Sequence, residues 1–292
     1  MALTSPGLIR AANEMLVALK PEINMIKAFA YDLSDDLAGY GAKVRVPFVT
    51  AGTAENYGAD NCADTNTGNY GHATGGLSDV FVTLDAQPKV TIPVTSNDVL
   101  ELPNDGYWAK CVEAGRDAIG TAISKKIGGL FTAANCLGGK VTMATVTKKA
   151  LANLRSQCVG RIRDTVLILA PDYYEEAISL FDSYVYGDQN PVVDGQFNGL
   201  YGFRTVLCGY DLPDGIKGAL VPYTSVAVAV KPVAIPDAAA YPEAGVTTDE
   251  SGFSITSMRH TDFNTATCFF NTTCLIGADV IRKNDVKYIS AS

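Results

Sequence analysis

Charge is what this sequence has least of. Asp, Glu, Lys and Arg make up 18% of its 292 residues, where about 25% is usual for a soluble domain. So few charges leave broad neutral or apolar surface, which a monomer would carry as sticky patches and an oligomer would bury. The composition therefore points to a chain that packs against neighbours. Basic runs are also missing: 23 Lys and Arg stand against 31 Asp and Glu, a formal charge of −8. The densest basic groupings are Lys125-Lys126, Lys148-Lys149 and Arg155 to Arg163. They read as solvated helix faces or loops, not as a track that neutralises phosphates, so gripping nucleic acid is not the expected role.

Histidine is scarce, with only His72 and His260. His72 falls in a glycine-rich loop and His260 on an expected turn, and neither has an evident partner for acid–base work. There is no G-x-S-x-G elbow, no G-x-x-x-x-G-K-[ST] phosphate loop and no H-E-x-x-H helix, so the sequence offers no recognised nucleophile, nucleotide cradle or zinc helix. The seven cysteines (62, 111, 136, 158, 208, 268 and 274) never form C-x-x-C, and an odd number cannot pair fully within one chain. Cys268 and Cys274 read as buried small hydrophobes. The N-terminus lacks a basic region followed by an apolar run, and no stretch approaches 18 apolar residues. Folding in a reducing compartment and no membrane span are the expectations. No metal or other cofactor is implied. The acidic group Asp172, Glu175 and Glu176 suits the positive end of a helix dipole. Asn271-Thr-Thr matches a glycosylation acceptor but lies in an apolar strand.

What is present is a clear order of segments. Leu8, Ile9, Ala12, Met15, Leu16 and Leu19 recur at helical spacing, with Pro21 as the expected stop. Lys43 to Val49 alternates as a strand; Thr50 to Ser78 is polar and glycine-rich; Asp79 to Asp85 and Lys89 to Thr95 alternate again. Two arms joined by a long polar tip predict an extended hairpin, which is marginal alone in water and must lie on something else. Trp108, Val112, Ile119, Ile123, Ile127 and Leu130 form one stripe on a helix of about 25 residues, roughly 37 Å long. Its glycines at 115, 120, 128 and 129 suit close packing. Thr145 to Ser156 predicts a second helix opened by a Thr cap. Thr165 to Ala170 is nearly all apolar, as expected of a strand covered on both faces, and Pro171-Asp172 opens a helix. Further strands are expected in Gly199 to Cys208 and Gly218 to Pro222, and strands with turns from Phe253 to Tyr288, with Thr224 to Val230 a short helix or strand of small residues and Pro232 to Val246 a connector.

This order resembles the major capsid protein of tailed double-stranded-DNA phages, the Hong Kong 97 fold. Gly199-Leu-Tyr-Gly-Phe-Arg-Thr-Val-Leu-Cys-Gly-Tyr-Asp-Leu-Pro213 is the strongest local match, and nearly the whole chain follows the family's sequence of parts. The resemblance implies an α+β chain with an N-terminal arm (1–42), an extended loop (43–98), a peripheral domain with a long spine helix (99–164 and 250–292) and an axial α/β domain (165–249). It implies pentamers and hexamers of an icosahedral shell, a separate scaffolding protein, a portal, possible decoration proteins and double-stranded DNA enclosed without specific binding. Assembly in the host cytoplasm and residence in the virion follow. An encapsulin-type cellular compartment shares the fold and is the alternative. The apolar positions of the extended loop, Val44, Val46, Phe48, Val80, Val82, Val90 and Ile92, are the expected subunit interface.

Overall fold

The computed structural model describes residues 6–34, 36–50, 76–94, 104–158, 162–180, 192–193, 196–198, 202–235, 243–262, 264 and 267–292. Of the expected polar tip from Thr50 to Ser78, residues 51–75, with His72 and Cys62, lie outside the described residues, while Thr50 ends one strand and 76–78 open the next; the side chains of Phe48, Trp108, Cys111 and Val112 also lie outside the described residues. In chain order the elements are α1 (Pro6–Ala18), α2 (Lys20–Lys27), β1 (Ala30–Leu33), β2 (Lys43–Thr50), β3 (Gly76–Thr83), β4 (Lys89–Val94), α3 (Asn104–Gly128) and β5 (Lys140–Thr142). There follow α4 (Lys148–Gln157), β6 (Thr165–Leu169), α5 (Pro171–Ser179), β7 (Val192–Val193), β8 (Gln196–Asn198), β9 (Thr205–Cys208) and β10 (Gly218–Pro222). The chain closes with β11 (Val226–Lys231), β12 (Glu243–Thr248), β13 (Ser254–Asp262), β14 (Thr267–Thr273), β15 (Leu275–Val280) and β16 (Lys287–Ser290). The class is α+β.

Apolar periodicity decides the helices. Ala12, Met15, Leu16 and Leu19 are buried as one face of α1 and its C-terminal neighbour. Pro21 does not end the run; it stands in the first turn of α2, where a missing N–H is no loss, and Ile23 and Ile26 carry the buried face onward. Helix α3 has the 25 residues expected and buries Ile119, Ile123 and Ile127. Two of its glycines are contact points: a Cβ on Gly115 would overlap the Met15 thioether of α1, and one on Gly128 would overlap the carbonyl of Asp211. Helix α4 begins where Thr147 caps it, its side chain accepting the Ala150 N–H at 3.0 Å.

The largest sheet runs β5-β16-β10-β6-β9-β8-β7. Its central strand β6, Thr-Val-Leu-Ile-Leu, is buried along its whole length. Leu167 and Leu169 pack against Leu151 and Leu154 of α4 and Tyr173, Tyr174 and Ala177 of α5, while Val166 and Ile168 join the main core with the α3 stripe and α1. A strand with no polar face needs exactly such cover on both sides. Residues on either side of the expected boundary at 164 and 165 share this sheet, since β5 and β16 pair beside β10 and β6. Short outer strands, three residues in β5 and two in β7, limit the exposed sheet edge.

A three-stranded sheet, β1-β11-β15, and a four-stranded sheet, β12-β13-β14-β4, complete the described strands with the hairpin β2-β3. The small-residue segment is a strand, and its alternation has a purpose. Val226, Val228 and Val230 face the main core; Ala227 and Ala229 lie on the other face, beneath the hairpin. The expected connector up to Val246 already contains β12. His260 is no turn residue: β13 continues to Asp262, and His260 pairs across it with Phe269. Polar residues there obscure the strand because they occupy its less buried C-terminal end.

Candidate assembly surfaces

The hairpin is antiparallel in the register Lys43↔Thr83, Val44↔Val82, Arg45↔Phe81, Val46↔Val80 and Phe48↔Ser78. Alternation therefore sorts it into two faces. On one, Val46 and Val82 are each 1% exposed and meet Leu84, Ala227, Ala229 and Leu275, with Val44 packed beside them; Val80 on the same face is half-buried. On the other, Phe81 is 61% exposed, and Arg45 pairs with Asp79 at 2.6 Å. That carboxylate raises the Arg45 pKa above its ordinary value. The root of the hairpin is thus fastened to its own chain by one face, and the opposite face is free.

Val90 and Ile92 are set apart from these residues. Strand β4 leaves the hairpin after Thr83 and becomes the outer strand of the four-stranded sheet, pairing Val90 with Thr272 and Ile92 with Phe270. Both side chains pack against the main core. Of the seven expected interface positions, the structure brings Val44, Val46, Val80 and Val82 together, places Phe48 in register further out, and sends Val90 and Ile92 elsewhere. Sequence alternation marks all of them as faces but does not say which face a neighbouring element covers. Phe81 occupies the polar phase of its strand, between Val80 and Val82, so alternation alone does not mark it as a contact residue. Among the described residues the other large apolar side chains left exposed are Val17, Tyr31, Leu37, Tyr40, Leu137 and Tyr210.

The hairpin also depends on the segment leading into it. Lys231, at the end of β11, is nearly enclosed, and its Nζ lies 3.2 Å from Asp32 of β1 while donating to Ser34 Oγ. A lone buried ammonium is costly, and the carboxylate and hydroxyl offset that cost. The pair ties β1 to β11, to which it runs parallel. Just beyond, the Ala38 N–H donates to Pro232 O and Gly41 N–H to Leu84 O, so the chain enters β2 from a fixed point.

The groups with chemical potential are occupied structurally. Burial pushes the Cys136 thiol up to about 11 and that of Cys274 to about 12, which keeps both protonated at neutral pH. The described cysteines are free thiols, and Cys268 accepts from Arg259 Nε at 3.2 Å. His260 stacks on Phe269 at 5.0 Å and shares a hydrogen bond of 3.1 Å with Asn271. Asn271 itself is buried, which removes it as a glycosylation acceptor in the folded chain. Asp172 pairs with Lys217 at 2.7 Å, and that hydrogen bond holds its pKa below the ordinary carboxylate value. Glu176 accepts the Val146 N–H at 3.0 Å, so Asp172 and Glu176 join α5 to its surroundings. Among the described residues no cluster of three metal-ligating side chains occurs, and no helix is long and apolar enough to cross a membrane.

No protein-family model matches the chain, and no curated protein matches it. Solved structures do. The fold is similar to that of the capsid of cyanophage P-SCSP1u, with 11% identity over 90% of this chain and 86% of that one, at a TM-score of 0.52. It is similar to a virus-like particle from Pyrococcus furiosus, with 10% identity over 96% of this chain and 98% of that one, also at 0.52. The capsid of the native GTA particle aligns with 10% identity over 92% of this chain and 89% of that one, at 0.50. At such identities the fold is what is shared: this chain has the architecture of capsid-shell subunits.

Proposed function

We propose that this chain is the major capsid protein of a tailed bacteriophage and that its work is mechanical. The observation that carries the reading is the shared architecture over at least nine-tenths of the chain with subunits of closed shells. The charge-poor composition supports it, since surface that a monomer would leave bare becomes contact area in an assembly. The anchored hairpin supports it as well. Val44, Val46, Val80 and Val82 fix its root in the chain, and the outward face around Phe81, with the strands running on through Phe48, reaches across a neighbour. Val90 and Ile92 contribute by holding β4 on the core from which the hairpin departs.

In this reading residues 1–42 act as the arm, 43–98 as the extended loop, 99–164 with 250–292 as the peripheral domain and 165–249 as the axial domain. Subunits meet heterologously, close into pentamers and hexamers, and tile an icosahedral shell in the virion. Each contact contributes about 25 cal/mol per Å² of apolar area before ordering costs, and many simultaneous contacts per subunit make the shell stable. A separate scaffolding protein and a portal direct assembly in the host cytoplasm, decoration proteins add to the outside, and double-stranded DNA is enclosed without specific binding. The subunit catalyses nothing and takes no cofactor.

The similarity to a particle from Pyrococcus furiosus, which spans nearly all of both chains, favours a second reading as an encapsulin-type compartment. Negative-stain microscopy of the purified chain, alone and with a scaffolding partner, tests both. Closed shells that require a scaffold and hold DNA in the phage sustain the first; shells that form unaided around an enzyme sustain the second. Persistent small particles under all assembly conditions would remove both.

A further inference from the structure

The two ends of the seven-stranded sheet differ in charge, although the chain as a whole is acidic. Strands β6 and β9 run parallel, in the register Val166↔Thr205 to Leu169↔Cys208, so all their N-terminal ends lie on one side and their C-terminal ends about 15 Å away. At the N-terminal side stand Arg155, Arg163 and Arg204, all exposed. The Arg204 N–H donates to Thr165 O, which places it beside the start of β6, and its guanidinium lies 3.6 Å over the Tyr223 ring. A methyl group on Gly202 would lie 4.0 Å from Arg155 Nη2. Arg163 immediately precedes Asp164, an exposed acid at this end, and the Asp164 carbonyl accepts the Tyr223 N–H at 2.7 Å.

These arginines contrast with cations elsewhere. Arg45, Lys126, Lys217 and Lys231 pair within the chain with Asp79, Asp85, Asp172 and Asp32. Among the described residues no carboxylate pairs with Arg155, Arg163 or Arg204. A guanidinium whose carbon lies over a tyrosine ring still carries N–H donors, and these match a carboxylate in a two-point contact. The opposite end of the sheet offers such groups. Glu175 lies close enough to Cys208, the last residue of β9, to act on its thiol. Asp211 and Asp214 follow in the loop that covers the C-terminal ends of β6 and β9; Asp211 rests against Gly128, and Asp214 shares a groove with Lys140 and Gly215. Lys217 is taken by Asp172, and no cation among the described residues pairs with Glu175, Asp211 or Asp214.

We propose that the arginine end of this sheet docks on the acidic end of the same sheet in a second copy of the chain, head to tail. The inference rests on the shell reading and gives one of its contacts an identity. Because the two complementary ends sit on opposite sides of one rigid sheet, the contact is heterologous, and repetition closes a ring. Opposite charge also steers encounter and rejects the wrong orientation, in which like ends meet.

A charge exchange tests it on the full-length chain. The variant Arg155→Glu/Arg163→Glu/Arg204→Glu has two acidic ends, and Glu175→Arg/Asp214→Arg has two basic ends. Each alone is expected to fold, as judged by circular dichroism and thermal melting, and to lose ring and shell formation by about tenfold or more. Mixed in equal amounts they are expected to assemble again, in alternating rings of even number, whereas five-membered rings cannot alternate and stay impaired. Both sets of changes in one chain are expected to restore five- and six-membered rings alike. The proposal is overturned if the arginine variant assembles as well as the parent, if the folded variants fail to rescue each other, or if shells form unchanged and only retained nucleic acid is lost. Should a variant not fold, the parent's own assembly decides: raising salt from about 50 mM to about 500 mM, which shortens electrostatic reach, is expected to weaken ring formation, and insensitivity would remove the contact. Failure of the parent to assemble under any condition counts against the shell reading itself, and the contact falls with it.

Discussion

Gly277 of β15 lies directly beneath Thr83 of β3: a Cβ on Gly277 would overlap the Thr83 carbonyl and stand 2.9 Å from Val82 Cγ1. Glycine is needed here because the hairpin root rests on the backbone of the sheet below it. Ala227 and Ala229 on the adjoining strand are small for the same reason. Replacing Gly277 with Ala is expected to destabilise the chain by about 1–3 kcal/mol, as overpacking does, and Val to do so more. Thermal unfolding of the two variants checks the order; a melting temperature unchanged by Val would mean the hairpin does not rest there.

Lys231 and Asp32 provide a second test. Lys231→Ala leaves the carboxylate and Ser34 without their partner. Asp32 is partly exposed, so water recovers some of the loss, and about 2 kcal/mol of destabilisation is expected, below the range for fully buried pairs. Lys231→Met with Asp32→Leu should be closer to the parent than either single change, which a double-mutant cycle by chemical denaturation would measure. Additive losses would show that the two residues do not interact.

The pair Asp172 and Lys217 predicts a pH dependence of definite sign. The folded pKa of Asp172 is lowered, chiefly by the hydrogen bond from Lys217. Its contribution is therefore present above the carboxylate's unfolded pKa and is lost as pH falls through the lower folded value. NMR titration should find Asp172 ionising below the usual Asp range, and Lys217→Gln should move it back towards that range. A titration midpoint unmoved by Lys217→Gln would rule out the ion pair as the cause.

Thiol accessibility reports the core. Cys136 and Cys274 are buried and held protonated, so neither should react with a thiol reagent at pH 8 until the chain unfolds. Peptide mapping after labelling reads this directly, and modification of native Cys274 would contradict its position in the main core.

Much of the fold is legible in local pattern. The all-apolar run at Thr165 to Ala170 states that both faces of β6 are covered, and the seven- and four-residue spacings of α3 give its length and buried stripe. The helix expected from Thr145 begins instead at Lys148, because Thr147 supplies the cap. The arms of the hairpin are equally plain from alternation. Pro21 misleads because a proline reads the same whether it ends one helix or opens the next. His260 misleads because the half-exposed end of a strand, carrying His, Thr and Asp in succession, resembles a turn.

By itself, then, the sequence determined the longer helices and strands and which of their faces are apolar, but not the helix after Pro21, the strand within the expected connector or the extension of β13 through His260. Periodicity carries that information because burial of a face is imposed residue by residue along one element. Only the tertiary structure decided what covers each face. It fastened Val46 and Val82 to Ala227 and Ala229, turned Phe81 outward, sent Val90 and Ile92 to another sheet, and set three arginines from separate segments at one end of β6 and β9. Those outcomes depend on strand pairing and close approach between residues far apart in sequence, for which a local pattern holds no record.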